Sequence, residues 1–181
     1  MKDIFRLAFS LLFSPRETWQ RLLYSKVTKR FIFSYVFTLA SIGPVLSFFS
    51  MYILENISLQ KTLVYCVVTF VLDILSVYIY GVLIKSFDRG INYETALKIS
   101  AFGSTGIWLS DIVDIYQYLR PLSIFGFFYS MYLMYIVFRE ILKKDFRYII
   151  FMLAVFSVLY GLNSLIAESI VQNPIIKKVV V

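Results

Sequence analysis

Histidine is absent from the 181 residues, and cysteine occurs once, as Cys66. The first absence removes the commonest metal ligand, the commonest general base and the usual pH switch. The second excludes an intrachain disulfide. Charge is also scarce: 16% of the residues are charged and 60% are apolar, a balance outside that of soluble domains. No P-loop or dinucleotide-binding glycine pattern occurs, and no paired carboxylates sit in the setting of an aspartyl enzyme. The chain is therefore read as a non-catalytic membrane protein without cofactor or metal. Linkers, low-complexity tracts and internal repeats are also missing, so one domain suffices.

What is present is long apolar runs. Crossing about 30 Å of hydrocarbon takes about 20 helical residues. Five runs meet that need, approximately 31–54, 62–84, 97–116, 121–138 and 148–167. Open sheets do not span lipid, and the runs lack the alternation of barrel strands. An all-α integral membrane protein is expected: residues 1–30 as one or two interfacial amphipathic helices, 31–171 as a five-span bundle, and 172–181 as a short external tail.

Orientation follows from the cations. Of the 18 Lys and Arg residues, Lys2, Arg6, Arg16, Arg21, Lys26, Lys29, Arg30, Lys85, Arg89, Lys98, Arg139, Lys143, Lys144 and Arg147 fall on one side. Lys61, Arg120, Lys177 and Lys178 fall on the other. The positive-inside rule then places the N-terminus in the cytoplasm and the C-terminus outside a cytoplasmic membrane. The formal charge of +7 brackets apolar spans and forms no patch of the kind that binds nucleic acid. The expected partner is a bilayer with anionic headgroups, with a membrane-protein partner or a second copy of the chain left open.

The opening "MKDIFRLAFSLLF" has some look of a signal peptide, but Arg6 interrupts it and no small-residue cleavage site follows, so cleavage is not expected. Lys2, Arg6 and Ser10 form a narrow polar stripe beside Phe5, Phe9 and Phe13. Next, Ser14-Pro15-Arg16-Glu17 fits a capping box with proline at the first helical position. The helix it starts sets Trp19, Leu22 and Leu23 against Arg16, Gln20 and Lys26. Both helices suit the interface plane, and both equally suit packing beneath the bundle. Lys2, Arg6, Arg16, Trp19, Arg21, Arg139, Lys143, Lys144 and Arg147 are the expected headgroup contacts.

The stretch "LFSPRETW" ahead of the spans, "GINYETALKISAFGSTG" running into the third, and "MYLMYIVFREILKK" after it resemble bacterial members of the Yip (Ypt-interacting protein) domain family. The resemblance covers most of the chain. It implies five spans and a cytoplasmic N-terminus, and for eukaryotic relatives binding of Rab-type GTPases and a role in membrane trafficking and shaping. This sequence lacks their long N-terminal cytoplasmic region and their acidic-aromatic Gly-Pro motif, so GTPase binding is not carried over.

A few polar residues stand within the spans. Asp73 lies near the middle of the second, where an ionised carboxylate costs about 2.5 to 3.5 kcal/mol. It is expected to be protonated, hydrogen-bonded within the bundle, or facing a water-filled cavity. Asp111 and Asp114, three apart on the third span, share a face and an outer end with Arg120, their expected partner. Ser100 and Ser104 belong to a small-residue stripe that permits close helix approach or lines a polar path. Gly43-Pro44 should bend the first span. Asn56-Ile57-Ser58 matches a glycosylation acceptor but lies too near the membrane.

Two functions follow. In one, the protein organises membrane or partners through its N-terminal helices and basic loops. In the other it is a small transporter or channel for protons, cations or a small solute, moving them along Asp114, Asp111 and Asp73.

Overall fold

A computed structural model describes residues 2–172, apart from the side chains of Asp114, Gln117, Glu168 and 170–172. The all-α expectation holds: no strand occurs among the described residues. Most of the external tail expected at 172–181 lies outside the described part.

Two short helices come first, α1 (Lys2–Phe13) and α2 (Pro15–Tyr24). Proline takes the first position of α2 as expected, yet Ser14 makes no side-chain cap. The reason is continuity. The Ser14 amide still donates to Ser10 O at 2.9 Å, and its φ of −139° and ψ of 60° keep it out of the extended geometry a capping hydroxyl needs. Thr18, not Ser14, ties the junction, donating its hydroxyl to Ser10 O at 3.1 Å.

The first apolar stretch runs from Lys29 to Leu54. Thr28 caps it, accepting from the Phe31 amide at 3.2 Å. It divides into α3 (Lys29–Ala40), α4 (Ile42–Phe49) and a widened turn at Ser50–Leu54. The division falls at Ser41, just before Gly43-Pro44, because a proline amide cannot donate to the preceding turn. Asn56, at a φ of 53°, reverses the chain into α5 (Leu59–Phe87), 29 residues without a break.

Four stretches are long and apolar enough to cross a membrane: Lys29–Leu54, Leu59–Phe87, Tyr118–Ile141 and Phe146–Ala167. The third of these contains α8 (Ile124–Ile136), and the last forms most of α9 (Phe146–Gln172). The run expected at 97–116 differs. Asn92 caps α6 (Tyr93–Gly103) through the Thr95 amide at 2.8 Å. Helix α7 (Thr105–Ser110) and a tight turn at Asp111–Ile115 follow.

Every residue from Ala96 to Trp108 is buried, so α6 and α7 form a central strut enclosed by the other helices. Helices α5 and α9 instead leave Leu63, Val67, Val71, Leu75, Val158, Leu162 and Leu165 exposed. Such broad apolar faces belong against lipid.

The N-terminal helices dock on the bundle. Ile4, Ala8, Leu11, Trp19 and Leu22 are buried. Trp19 meets Phe102 of α6 edge-to-face with centroids 6.3 Å apart, and Tyr129 of α8 donates to Leu12 O at 2.5 Å. Trp19 was expected at headgroup level. It lies inside the protein instead, because its stripe finds an apolar partner on the bundle.

Candidate functional site

Helix α5 carries Asp73 to mid-depth, about 21 Å along a helix of roughly 43 Å at 1.5 Å per residue. Helix α9 runs beside it and brings Asn163 opposite. Asn163 lines the same cavity as Asp73, and its Oδ1 accepts from Ser76 Oγ at 2.9 Å.

Above Asp73 opens a cavity of about 230 Å³. Asp73 and Thr69 of α5, Ser47 of α4, Asn163 and Tyr160 of α9, and Asp111 and Arg120 of the outer turns are among its lining residues. Asp111 packs against the break in the first stretch: a Cβ on Gly43 would stand 2.6 Å from its Oδ2. Below Asp73 a second space of about 30 Å³ has room for one or two waters at about 10–15 Å³ each. Ser76, Ser100, Ser104 and Asn163 reach it. The Ser100 and Ser104 hydroxyls donate to Val77 O at 2.6 Å and Ser100 O at 2.9 Å.

The chain therefore brings Asp73, Asp111, Arg120, Ser100 and Ser104 along one axis between α4, α5, α7 and α9. The Asp114 side chain lies outside the described residues. The Arg120 guanidinium donates to Glu55 Oε1 at 2.5 Å and to Ser50 Oγ at 3.1 Å, partners the sequence did not suggest. The widened turn at Ser50–Leu54 causes this. The Glu55 amide closes on Ser50 O at 3.0 Å, which draws the carboxylate inward beside Ser50.

Replacing Arg120 by methionine would strand Glu55. Breaking a buried pair costs about 3–5 kcal/mol, but these side chains are 35% and 19% exposed, so a loss of about 1–2 kcal/mol is expected after solvent screening. Adding Glu55→Gln should recover most of it, read from thermal unfolding in micelles. A loss that the double variant keeps would place Arg120's role elsewhere.

At the opposite end, polar links tie the short helices and loops together. Arg16 grips Glu140 through Nε and Nη2 at 2.8 and 2.9 Å. Lys98, buried on α6, donates to Ser25 O at 3.0 Å and pairs with Glu94 at 3.1 Å. Lys144 pairs with Asp88 and lies over the Tyr148 ring. Of the expected headgroup contacts, Arg16 and Lys144 thus hold the fold together, whereas Lys2, Arg6, Arg21, Arg139, Lys143 and Arg147 are exposed.

Sequence reasoning missed Glu55, Asn163 and the buried role of Lys98. Glu55 follows the first apolar run and Arg120 the third, so their shared end of the bundle was readable, though their pairing was not. No group of three His, Cys, Asp or Glu residues that could hold a metal ion occurs among the described residues.

The family model for the Yip1 domain matches residues 9–167. No curated protein and no solved structure matches the chain.

Proposed function

This chain belongs to the Yip1 domain family, and from that premise we propose that it is a non-catalytic multipass protein that organises an anionic membrane surface through its basic end. It is a membrane protein with at least the four apolar stretches described. In the proposed arrangement α6 and α7 make a fifth, broken crossing. The helical run from Tyr93 to Ile115 is about 34 Å long at 1.5 Å per residue, enough for the hydrocarbon core. Five crossings put the N-terminus in the cytoplasm and the C-terminus outside, with the cation-rich end facing the anionic inner leaflet.

The observation that carries this reading is the way α1 and α2 sit. Their buried stripes are consumed by the bundle, yet Phe5, Phe9 and Phe13 stay 37%, 52% and 81% exposed. An aromatic row beside Lys2 and Arg6 on a docked helix suits the boundary between headgroups and acyl chains. Arg139, Lys143 and Arg147 add cations from the neighbouring loop, which the Arg16–Glu140 pair joins to α2.

Replacing Arg139, Lys143 and Arg147 together by glutamine tests it. The variant is expected to fold, because none of the three is buried. Its preference for spin-labelled phosphatidylglycerol over phosphatidylcholine should fall at least fivefold, since each surface cation is worth about 1 kcal/mol. Asp73→Asn should leave that preference unchanged. Equal selectivity in wild type and triple variant would overturn the proposal.

A further inference from the structure

The basic end carries a second group of free charges, at the entry of the first apolar stretch. We propose that Lys26, Lys29 and Arg30 bind the headgroup of a phosphomonoester lipid, whose acyl chain runs down α3 into a groove between α4 and α5. This site rests on the reading above that the basic end meets anionic lipid, and it uses residues which that reading leaves aside.

Charge and depth come first. Lys26, Lys29 and Arg30 are exposed, and none of them pairs with a carboxylate among the described residues, unlike Arg16, Lys98, Arg120 and Lys144. The backbone from Lys26 to Arg30 spans at most about 14 Å, so one headgroup is within reach of all three. Lys29 opens a stretch able to cross the membrane, which sets the cluster at the level of lipid phosphates. The segment is also held in place. Buried Lys98 donates to Ser25 O at 3.0 Å, Val27 packs on the core, and Thr28 caps α3. A fixed backbone leaves less to be ordered on binding.

The headgroup class follows from the count of cations. A phosphodiester brings one negative charge, whereas a phosphomonoester brings about 1.5 to 2 at neutral pH and three acceptor oxygens. Three cations without a carboxylate match the monoester better, and the Arg30 guanidinium can hold two phosphate oxygens at once.

The acyl path is an independent observation. At about 100° per residue, Lys29, Arg30, Phe33 and Phe37 fall on one face of α3, with Ile32, Tyr35, Val36 and Leu39 buried on the other. Phe33 and Phe37 are exposed. Cations at headgroup depth thus stand above rings at acyl depth. Phe37, about 12 Å below Lys29, meets Phe70 of α5 edge-to-face with centroids 5.1 Å apart. There a groove of about 330 Å³ opens, with Pro44, Val45, Phe48 and Val67 among its walls. The Ser41 hydroxyl on the same wall is spent on Thr38 O at 2.8 Å, so the groove suits a ligand that needs no hydrogen bond. An acyl chain meets that condition, and the cations on the same face anchor its headgroup.

Full-length protein in phosphatidylcholine nanodiscs near neutral pH tests the site, with spin-labelled phosphatidic acid and phosphatidylmethanol as probes. The two differ by one methyl group, which makes the second a phosphodiester. Phosphatidic acid should associate about fivefold more strongly, the scale of one further charge at the surface. Replacing Lys26, Lys29 and Arg30 by glutamine should bring that ratio to about one, in a variant expected to fold because all three are exposed. Val67→Trp, which fills the groove from an exposed position, should weaken both lipids alike and keep the ratio. Equal association of the two lipids with the wild type would overturn the proposal, as would an unchanged ratio in the glutamine variant or undiminished association after Val67→Trp. Replacing Arg139, Lys143 and Arg147 instead should leave the ratio intact, so loss of this site and loss of the surface selectivity are read separately.

Discussion

Trp19→Ala is expected to lower stability by about 3–5 kcal/mol, the range for emptying a buried tryptophan site. At about 2–4 °C per kcal/mol for a chain of this size, thermal unfolding in micelles should shift down by roughly 6–20 °C. The size follows from the surroundings. Trp19 is fully buried, and its ring closes on Phe102, whose own ring meets Tyr35 edge-to-face with centroids 4.7 Å apart. Tyr35 is in turn hydrogen-bonded to Thr105 at 2.7 Å. Alanine would open a void at the head of this chain, next to the central strut. The same variant separates two placements of the N-terminus. If α2 lay on lipid, losing the indole would weaken membrane association and leave the bundle's unfolding unchanged. An unshifted transition would sink the docked arrangement.

That pair of placements shows where sequence reading ended. The stripe of Trp19, Leu22 and Leu23 was visible, because a helical period needs only the chain itself. What covers the stripe was not, since lipid and a bundle surface are equally apolar to it. The long spans were legible for the opposite reason: the hydrocarbon thickness sets their length independently of any partner. The third run was legible as apolar and helical but not as a buried, broken strut, which depends on the other helices enclosing it.

Within the candidate site, Asp73 was conspicuous as a charge in an apolar run, and Asp111 and Arg120 as a shared end. The Glu55–Arg120 pair depended on a widened turn that changes the register after Phe49, a feature without a composition signal. Asn163 was hidden because a single amide points nowhere until the rotation of α9 is known.

Gly126→Ala should be the most damaging single-methyl change in the chain, with a loss at or above the usual 1–3 kcal/mol of overpacking. A Cβ at Gly126 would stand 1.9 Å from Ser110 Oγ, 2.3 Å from Ser110 Cβ and 2.5 Å from Gly106 O. The last is backbone. Ser110 cannot swing aside cheaply, because its hydroxyl donates to Ile107 O at 2.8 Å and Ser123 O at 3.1 Å. Across the same contact the Ile107 amide donates to Ser130 Oγ at 3.0 Å, so α7 and α8 are pinned at a separation only small residues permit.

Gly161→Ala supplies the control. A Cβ there meets nothing within 4 Å, and in the interior of α9 alanine should stabilise by about 0.5–1 kcal/mol through its helix preference. Unfolding transitions of the two variants should therefore move in opposite directions from the wild type. Combining Gly126→Ala with Ser110→Gly, which removes two of the three clashes, should recover part of the loss. If Gly126→Ala unfolds with the wild type, α7 and α8 do not meet at Gly106 and Gly126. The strut would then lose its contact with α8, and with it the packing that holds Asp111 and Arg120 around one cavity.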